Sequence, residues 1–445
     1  MDARRHAPWL LVVLLPALVV ALVGLVKGPT GHDSVTQLVW NEGLQDAVAR
    51  GDLYPRWLPD LNHGFGSLVF GFYPPVAHYL TLLFGPVDGL DPTGWARLAV
   101  SIGAAVTVSA VSFGALARAG GLSQPAASLG ALAYVLLPYH FSYVTVTRAA
   151  LAETWAMAWV PALLACLVRL VRNPRSRQDV AGLALFVALL VGTHLPTVIL
   201  ITPVGVAIAA SVWWTGRREP SALLAVPAAG GLGITLVAVY LIPALEVRPW
   251  TTIETLTQGS YAFSTNFLDA PGHAPGLHAY QRMVALITVV VAASAAMLAR
   301  HSPARRLGGW GGIALLAFAL QFSVSAPLWA LPGMAWLSFP SRWGSVLTLA
   351  AAVLVARAAE TPGNRPLLLG LVLVAGLVSV PAFRATNPDD PRPYLAARMA
   401  TTNDYVPRWA DWDTAHSLEG LAAMDATGAR VDQRLRVALA GRDPG

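Results

Sequence analysis

Long uncharged apolar runs alternate with short arginine-bearing or acidic breaks along nearly the whole chain. A helix of about 20 apolar residues spans a ~30 Å hydrocarbon core. Runs suited to helices recur at residues 8–26, 67–84, 95–117, 126–140, 149–171, 180–194, 196–214, 221–245, 281–299, 308–325, 342–358 and 366–384. They lack the two-residue alternation of a barrel strand, and a helix satisfies its own backbone in lipid. The weakest is 67–84, where Tyr73-Pro74-Pro75 removes two backbone donors. That segment is expected to dip into the bilayer or lie along its surface, which leaves about 11 crossings. The pattern predicts an all-α polytopic membrane protein with one re-entrant or membrane-surface segment. In the polar stretch after the first run, residues 33–49 read as an amphipathic helix from Val35, Leu38, Val39 and Leu44.

Composition agrees. Hydrophobic residues make up 55%, charged residues 12%, and the mean hydropathy is +0.56, which excludes an ordinary soluble domain. The net charge of +6 is unevenly placed. Arginine dominates the breaks at 4–5, 118, 169–179, 217–219, 300–306 and 357–365, whereas 27–60, 85–94 and 246–282 hold twice as many acidic as basic residues. The arginine-rich side is expected to be cytoplasmic, so the charge reports topology and excludes nucleic-acid binding. The first run has a long core and no small-residue cleavage site after Val26, which predicts an uncleaved anchor with a cytoplasmic amino terminus. A transmembrane domain over 1–384 is expected, with a first extracytoplasmic loop at 27–66, a second large one at 246–280 and a short extracytoplasmic tail at 385–445. Cys166 stands alone in an apolar run, which excludes an internal disulfide or a cysteine-based metal site.

Candidate chemistry collects where helices leave the acidic side. The first loop carries His32, Asp33, Tyr54, Arg56 and Trp57; Tyr73 follows at the broken segment. Farther along lie Arg148 and Glu153, then His194 in a turn, and Arg342 after a long uncharged run. Ionisable groups at such depth are costly and usually face a cavity, partner or substrate. Each has a plainer role as well. Asp33 suits a helix cap, Arg148 and Glu153 suit a structural ion pair, and Trp57, Trp329, Trp336 and Trp343 suit an aromatic belt.

The segments Gly51-Asp52-Leu53-Tyr54-Pro55-Arg56-Trp57, Gly64-Phe65-Gly66 and Phe72-Tyr73-Pro74-Pro75 resemble the bacterial membrane family labelled 6-pyruvoyl-tetrahydropterin synthase-related. That group is YfhO-like and sits in the GT-C glycosyltransferase superfamily. Thr147-Arg148-Ala149-Ala150-Leu151-Ala152-Glu153, Phe339-Pro340-Ser341-Arg342-Trp343 and Asp404-Tyr405-Val406-Pro407 fit the same pattern, so the resemblance spans residues 8–410. It implies a GT-C-like bundle in the bacterial plasma membrane. Such enzymes move a sugar from a polyprenyl-phosphate carrier to a cell-envelope glycan or lipid acceptor at the extracytoplasmic face. An acidic residue of the first loop serves there as base or metal ligand, and Asp33 is the matching position. Family members carry a larger domain after the last helix, of which the tail matches the beginning.

An inverting transfer needs a carboxylate for the acceptor's proton and cations for the leaving phosphate. Asp33 suits the base, and Arg342 with Arg148 or His194 suits the phosphate. His32 is placed to tune Asp33 or touch the acceptor, Tyr54, Arg56, Trp57 and Tyr73 to contact sugar, and Glu153 to pair with Arg148 or act as a second carboxylate. Asp33 with His32 and Glu153 could together hold a divalent ion, but no close cluster has metal-ligand spacing, so no metal or other cofactor is expected beyond the lipid-linked donor. A catalytically silent lipid-glycan-binding or scaffold protein is the alternative, or a lipid-sugar flippase, which normally shows broken helices in matching halves.

Overall fold

The computed structural model describes residues 14–22, 33–59, 61, 66–89, 94–216, 218–251, 253–270, 275–300 and 309–386. His32 and the segment 387–445 lie outside these residues. Thirteen helices are labelled here from the first loop onward: α1 Ser34–Ala49, α2 Val76–Leu82, α3 Trp95–Ala119, α4 Gln124–Leu136, α5 Leu151–Arg172, α6 Arg177–Val191, α7 Leu195–Thr215, α8 Ala222–Leu236, α9 Ala238–Val247, α10 Pro275–Ala299, α11 Trp310–Ala319, α12 Trp343–Ala358 and α13 Arg365–Thr386. A π-helix, Tyr139–Arg148, continues α4. No strand occurs among the described residues; one isolated antiparallel bridge, Leu58 to Ser67, closes the first loop.

The chain is an all-helical, multi-pass membrane protein. Six described helices are long and apolar enough to cross a membrane, or eight if each of two bent pairs is one span. Those pairs are α8 with α9, bent by 69°, and α11 with Ser323–Trp329, bent by 101°. Helices α6 and α12, of 15 and 16 residues, are shorter. The proline-broken segment behaves as its sequence predicts: a turn at Val69–Phe72 stops at Tyr73, and α2 restarts after Pro75.

The centre of the bundle is formed by α5 and α12. Every residue of α12 is buried, as is every residue of α5 except Arg169 and Arg172. α5 packs on α3 and α6, while α12 packs on α4, α10 and α11. Small residues let these backbones approach: a Cβ at Gly130 would stand 2.6 Å from both Ala356 Cβ and the Phe113 ring. Gly233 plays the same part where α8 meets the Ala184 carbonyl of α6. Leu223, Leu224, Val239, Leu245 and Leu377, by contrast, are exposed apolar side chains suited to lipid.

Two tryptophans expected in an aromatic belt belong to the core instead. Trp329 is fully buried, stacks on Phe263 at 5.4 Å and donates its indole N–H to the Leu320 carbonyl, and Trp343 is buried at the start of α12. The bend after α11 turns Trp329 inward, which a belt argument from sequence position does not anticipate.

Candidate functional site

The site begins with how the chain enters α5. Ten residues of π-helix end at Ala149, whose φ of 52° is left-handed and unusual for a residue with a Cβ. π turns are rare, and they are frequent at functional sites. Here the turn and the left-handed step bring Arg148 and Glu153 together, with Arg148 Nη1 donating to Glu153 Oε2 at 2.5 Å. The Tyr139 hydroxyl donates to the other oxygen at 2.7 Å. Glu153 is only 2% exposed, so a carboxylate there requires these partners.

Arg148 reaches a second acid as well. Its Nη2 donates to Asp33 Oδ2 at 2.8 Å, and the Asp33 backbone N–H donates to the Arg148 carbonyl at 2.9 Å. Asp33 thus stands at the N-cap of α1, near the positive end of its dipole. Its side chain makes no capping hydrogen bond, so the plainer role suggested by sequence is not the one adopted. The carboxylate is 32% exposed, and no bond to Oδ1 occurs among the described residues.

A cavity of about 720 Å³ opens beside this triad. Asp33, Tyr73, Arg148, Glu153, His194 and Arg342 all line it. Arg342 comes from the turn before α12, donates from Nη1 to the Leu337 carbonyl at 2.6 Å, and lies over the Phe339 ring at 5.2 Å. Its buried Nε has no hydrogen-bond partner, and it forms no ion pair among the described residues. Arg248 stands at the rim, its guanidinium 5.3 Å from the Trp336 ring centroid. Three arginines against two carboxylates leave the lining positive, which favours an anionic ligand. Part of the lining is apolar, with Leu195, Ile199, Leu241 and Leu245.

Three candidates from the first loop fall elsewhere. Tyr54 packs against the cluster of Val191, Val237, Tyr240 and Ala244, with the exposed Arg56 over its ring at 5.4 Å. The Trp57 ring covers Gly66 so closely that a Cβ there would overlap it. None of the three lines the cavity. Gln37, Arg248, His278, Gln281 and Trp336 line it without having been singled out as site residues from sequence. Gln37 had a usable signal, one helical turn after Asp33 on the same face.

A guanidinium fills the space between the two carboxylates, and among the described residues no group of three or more His, Cys, Asp or Glu is arranged to hold a metal. Desolvation sets the histidines nearby. Burial pushes the His194 imidazole, bonded through Nδ1 to Thr197 at 2.7 Å, down to about 3. His78 on α2, bonded to Asn41 at 2.7 Å, is likewise pushed to about 3. An unfolded imidazole titrates near 6.5, so acid favours the unfolded chain. The expected result is full stability above about pH 6.5, lost progressively as pH falls toward about 3. Melting curves of detergent-purified protein between about pH 8 and about pH 4 check this, and His194→Gln should flatten the loss.

No protein-family model matches the chain, and no curated protein matches it. Among solved structures the chain is similar to the arabinofuranosyltransferase AftD from Mycobacteria, with 18% identity and a TM-score of 0.49 over 84% of this chain and 26% of that protein. It is also similar to ArnT from Cupriavidus metallidurans, solved bound to undecaprenyl phosphate, with 14% identity and a TM-score of 0.35 over 80% of this chain and 78% of that one. This chain therefore spans about a quarter of the mycobacterial protein's length. Likenesses at these scores carry no reaction from those proteins to this one.

Proposed function

We propose that the protein transfers a sugar from a polyprenyl-phosphate carrier to a cell-envelope acceptor at the extracytoplasmic face. The observation that carries this reading is that Asp33 and Arg342, from opposite ends of the described chain, line one cavity. A carboxylate able to take a proton and a guanidinium open to an anion are the two groups an inverting transfer from a phosphate needs.

In that reaction the acceptor hydroxyl attacks the anomeric carbon while Asp33 Oδ1 takes its proton. The bond from the anomeric carbon to the phosphate oxygen breaks, and its electron pair leaves with the lipid phosphate. Arg342 meets the growing charge on that phosphate, and Arg248 adds a second cation at the rim. Arg148 has a different task from the phosphate grip expected of it, because both its ion pairs are with carboxylates. It holds Asp33 at the cavity wall and leaves Oδ1 for the acceptor. The isoprenoid chain has an apolar approach along Leu241 and Leu245, since α9 lines the cavity with these side chains and exposes Val239 and Ile242 outside it.

The phosphate grip is tested by native mass spectrometry of protein in nanodiscs with undecaprenyl phosphate or undecaprenol. Wild type is expected to retain the phosphate in preference to the alcohol, and Arg342→Gln to lose about tenfold in that preference, the worth of one charged hydrogen bond. Equal retention of the two lipids, or a preference untouched by Arg342→Gln, contradicts the proposal.

A further inference from the structure

Gln37 is the most unusual polar group of the cavity outside the charged triad. It lies one turn along α1 from Asp33, its N–H donating to the Asp33 carbonyl at 3.0 Å, so both side chains leave the helix on the same face. The residue is only 5% exposed and lines the cavity. Its Oε1 is buried and has no hydrogen-bond partner among the described residues. A buried amide oxygen left without a partner costs stability. Neighbouring polar groups are engaged elsewhere: Gln281 donates to the Tyr143 hydroxyl, and the Tyr240 hydroxyl to the Phe72 carbonyl.

We infer that Gln37 is the acceptor-reading residue of the cavity, and that the acceptor is a sugar presenting adjacent hydroxyls. A carboxamide offers one acceptor and one donor side by side. A hydroxyl both donates and accepts, so a vicinal diol satisfies both ends at once, whereas an isolated alcohol or an amine satisfies one. The amide's place beside Asp33 sets which hydroxyls these are. If one hydroxyl of the acceptor gives its proton to Asp33, a neighbouring hydroxyl of the same ring falls to Gln37. This inference rests on the transfer reading for the identity of the ligand, but the amide's binding role is measurable without any turnover.

The experiment is saturation-transfer NMR of the full chain in nanodiscs, with methyl glycosides as probes and their monodeoxy derivatives and 1-propanol as controls. Wild type is expected to transfer saturation to the methyl glycosides and about tenfold less to those lacking one hydroxyl of the pair. Gln37→Met, which keeps the volume and removes both polar ends, is expected to bind parent and deoxy glycosides alike, at the weak deoxy level. The same variant should melt no lower than wild type, because it removes an unsatisfied buried amide oxygen. A glutamine that merely fills space would do the reverse, leaving sugar binding unchanged in Gln37→Met. Undiminished binding in that variant, or equal discrimination against the deoxy sugars in both proteins, overturns the inference. Asp33→Asn separates the two claims. If it transfers sugar like wild type, the proposed reaction fails; if it is inactive but Gln37→Met reads sugars normally, only the role of Gln37 fails.

Discussion

Arg148→Ala is expected to remove most folded protein from the membrane. The substitution leaves Glu153 as a carboxylate 2% exposed with no ion pair among the described residues, and leaves Asp33 without its side-chain partner. Breaking a buried pair from one side costs about 3–5 kcal/mol, because the remaining charge is stranded. That is a large share of the roughly 5–15 kcal/mol by which domains are stable. The yield and melting temperature of the monodisperse protein after detergent extraction measure it. Arg148→Met combined with Glu153→Leu should recover much of the loss, since apolar replacement of a whole buried pair is often neutral. A single Arg148→Ala variant as stable as wild type would show that the triad is not a buried ionic knot.

Asp33→Asn should behave in the opposite way, folding normally and losing transfer by about 10²–10⁴-fold, the usual contribution of a positioned general base. Asparagine is nearly isosteric and its carbonyl oxygen still accepts from Arg148, while Arg148 keeps its pair with Glu153. The stability change should stay within about 1 kcal/mol, since Asp33 is a third exposed and its ion pair is partly screened. Transfer of label from a radiolabelled polyprenyl-phosphate sugar, at matched amounts of folded protein, reads the effect. Full activity in Asp33→Asn removes the base from the mechanism.

The membrane character and the helical class were legible because they depend on the length and composition of each run, which are local properties. The proline break at Tyr73–Pro75 was legible for the same reason, since a missing backbone donor acts where it stands. Several residues that line the cavity were also readable: an arginine such as Arg342, after a long uncharged run, is too costly in lipid to be idle. The connection between Asp33 and Arg148 was not readable. It depends on the π-helix and the left-handed Ala149, which place the Arg148 carbonyl and guanidinium against the start of α1. Their spacing in sequence carries no trace of that meeting. Tyr54, Arg56 and Trp57 mark the converse limit, because a dense run of aromatic and charged residues marks an interface without giving its direction. In this chain the loop folds back through the Leu58–Ser67 bridge and turns those side chains away from the cavity.

A cryo-electron microscopy map of the protein in nanodiscs with a bound polyprenyl-phosphate sugar tests the central claim most directly. The expected map has the phosphate within hydrogen-bond reach of the Arg342 guanidinium and the sugar's anomeric carbon in the cavity faced by Asp33. Phosphate density seated away from Arg342, or a sugar walled off from Asp33, would contradict it.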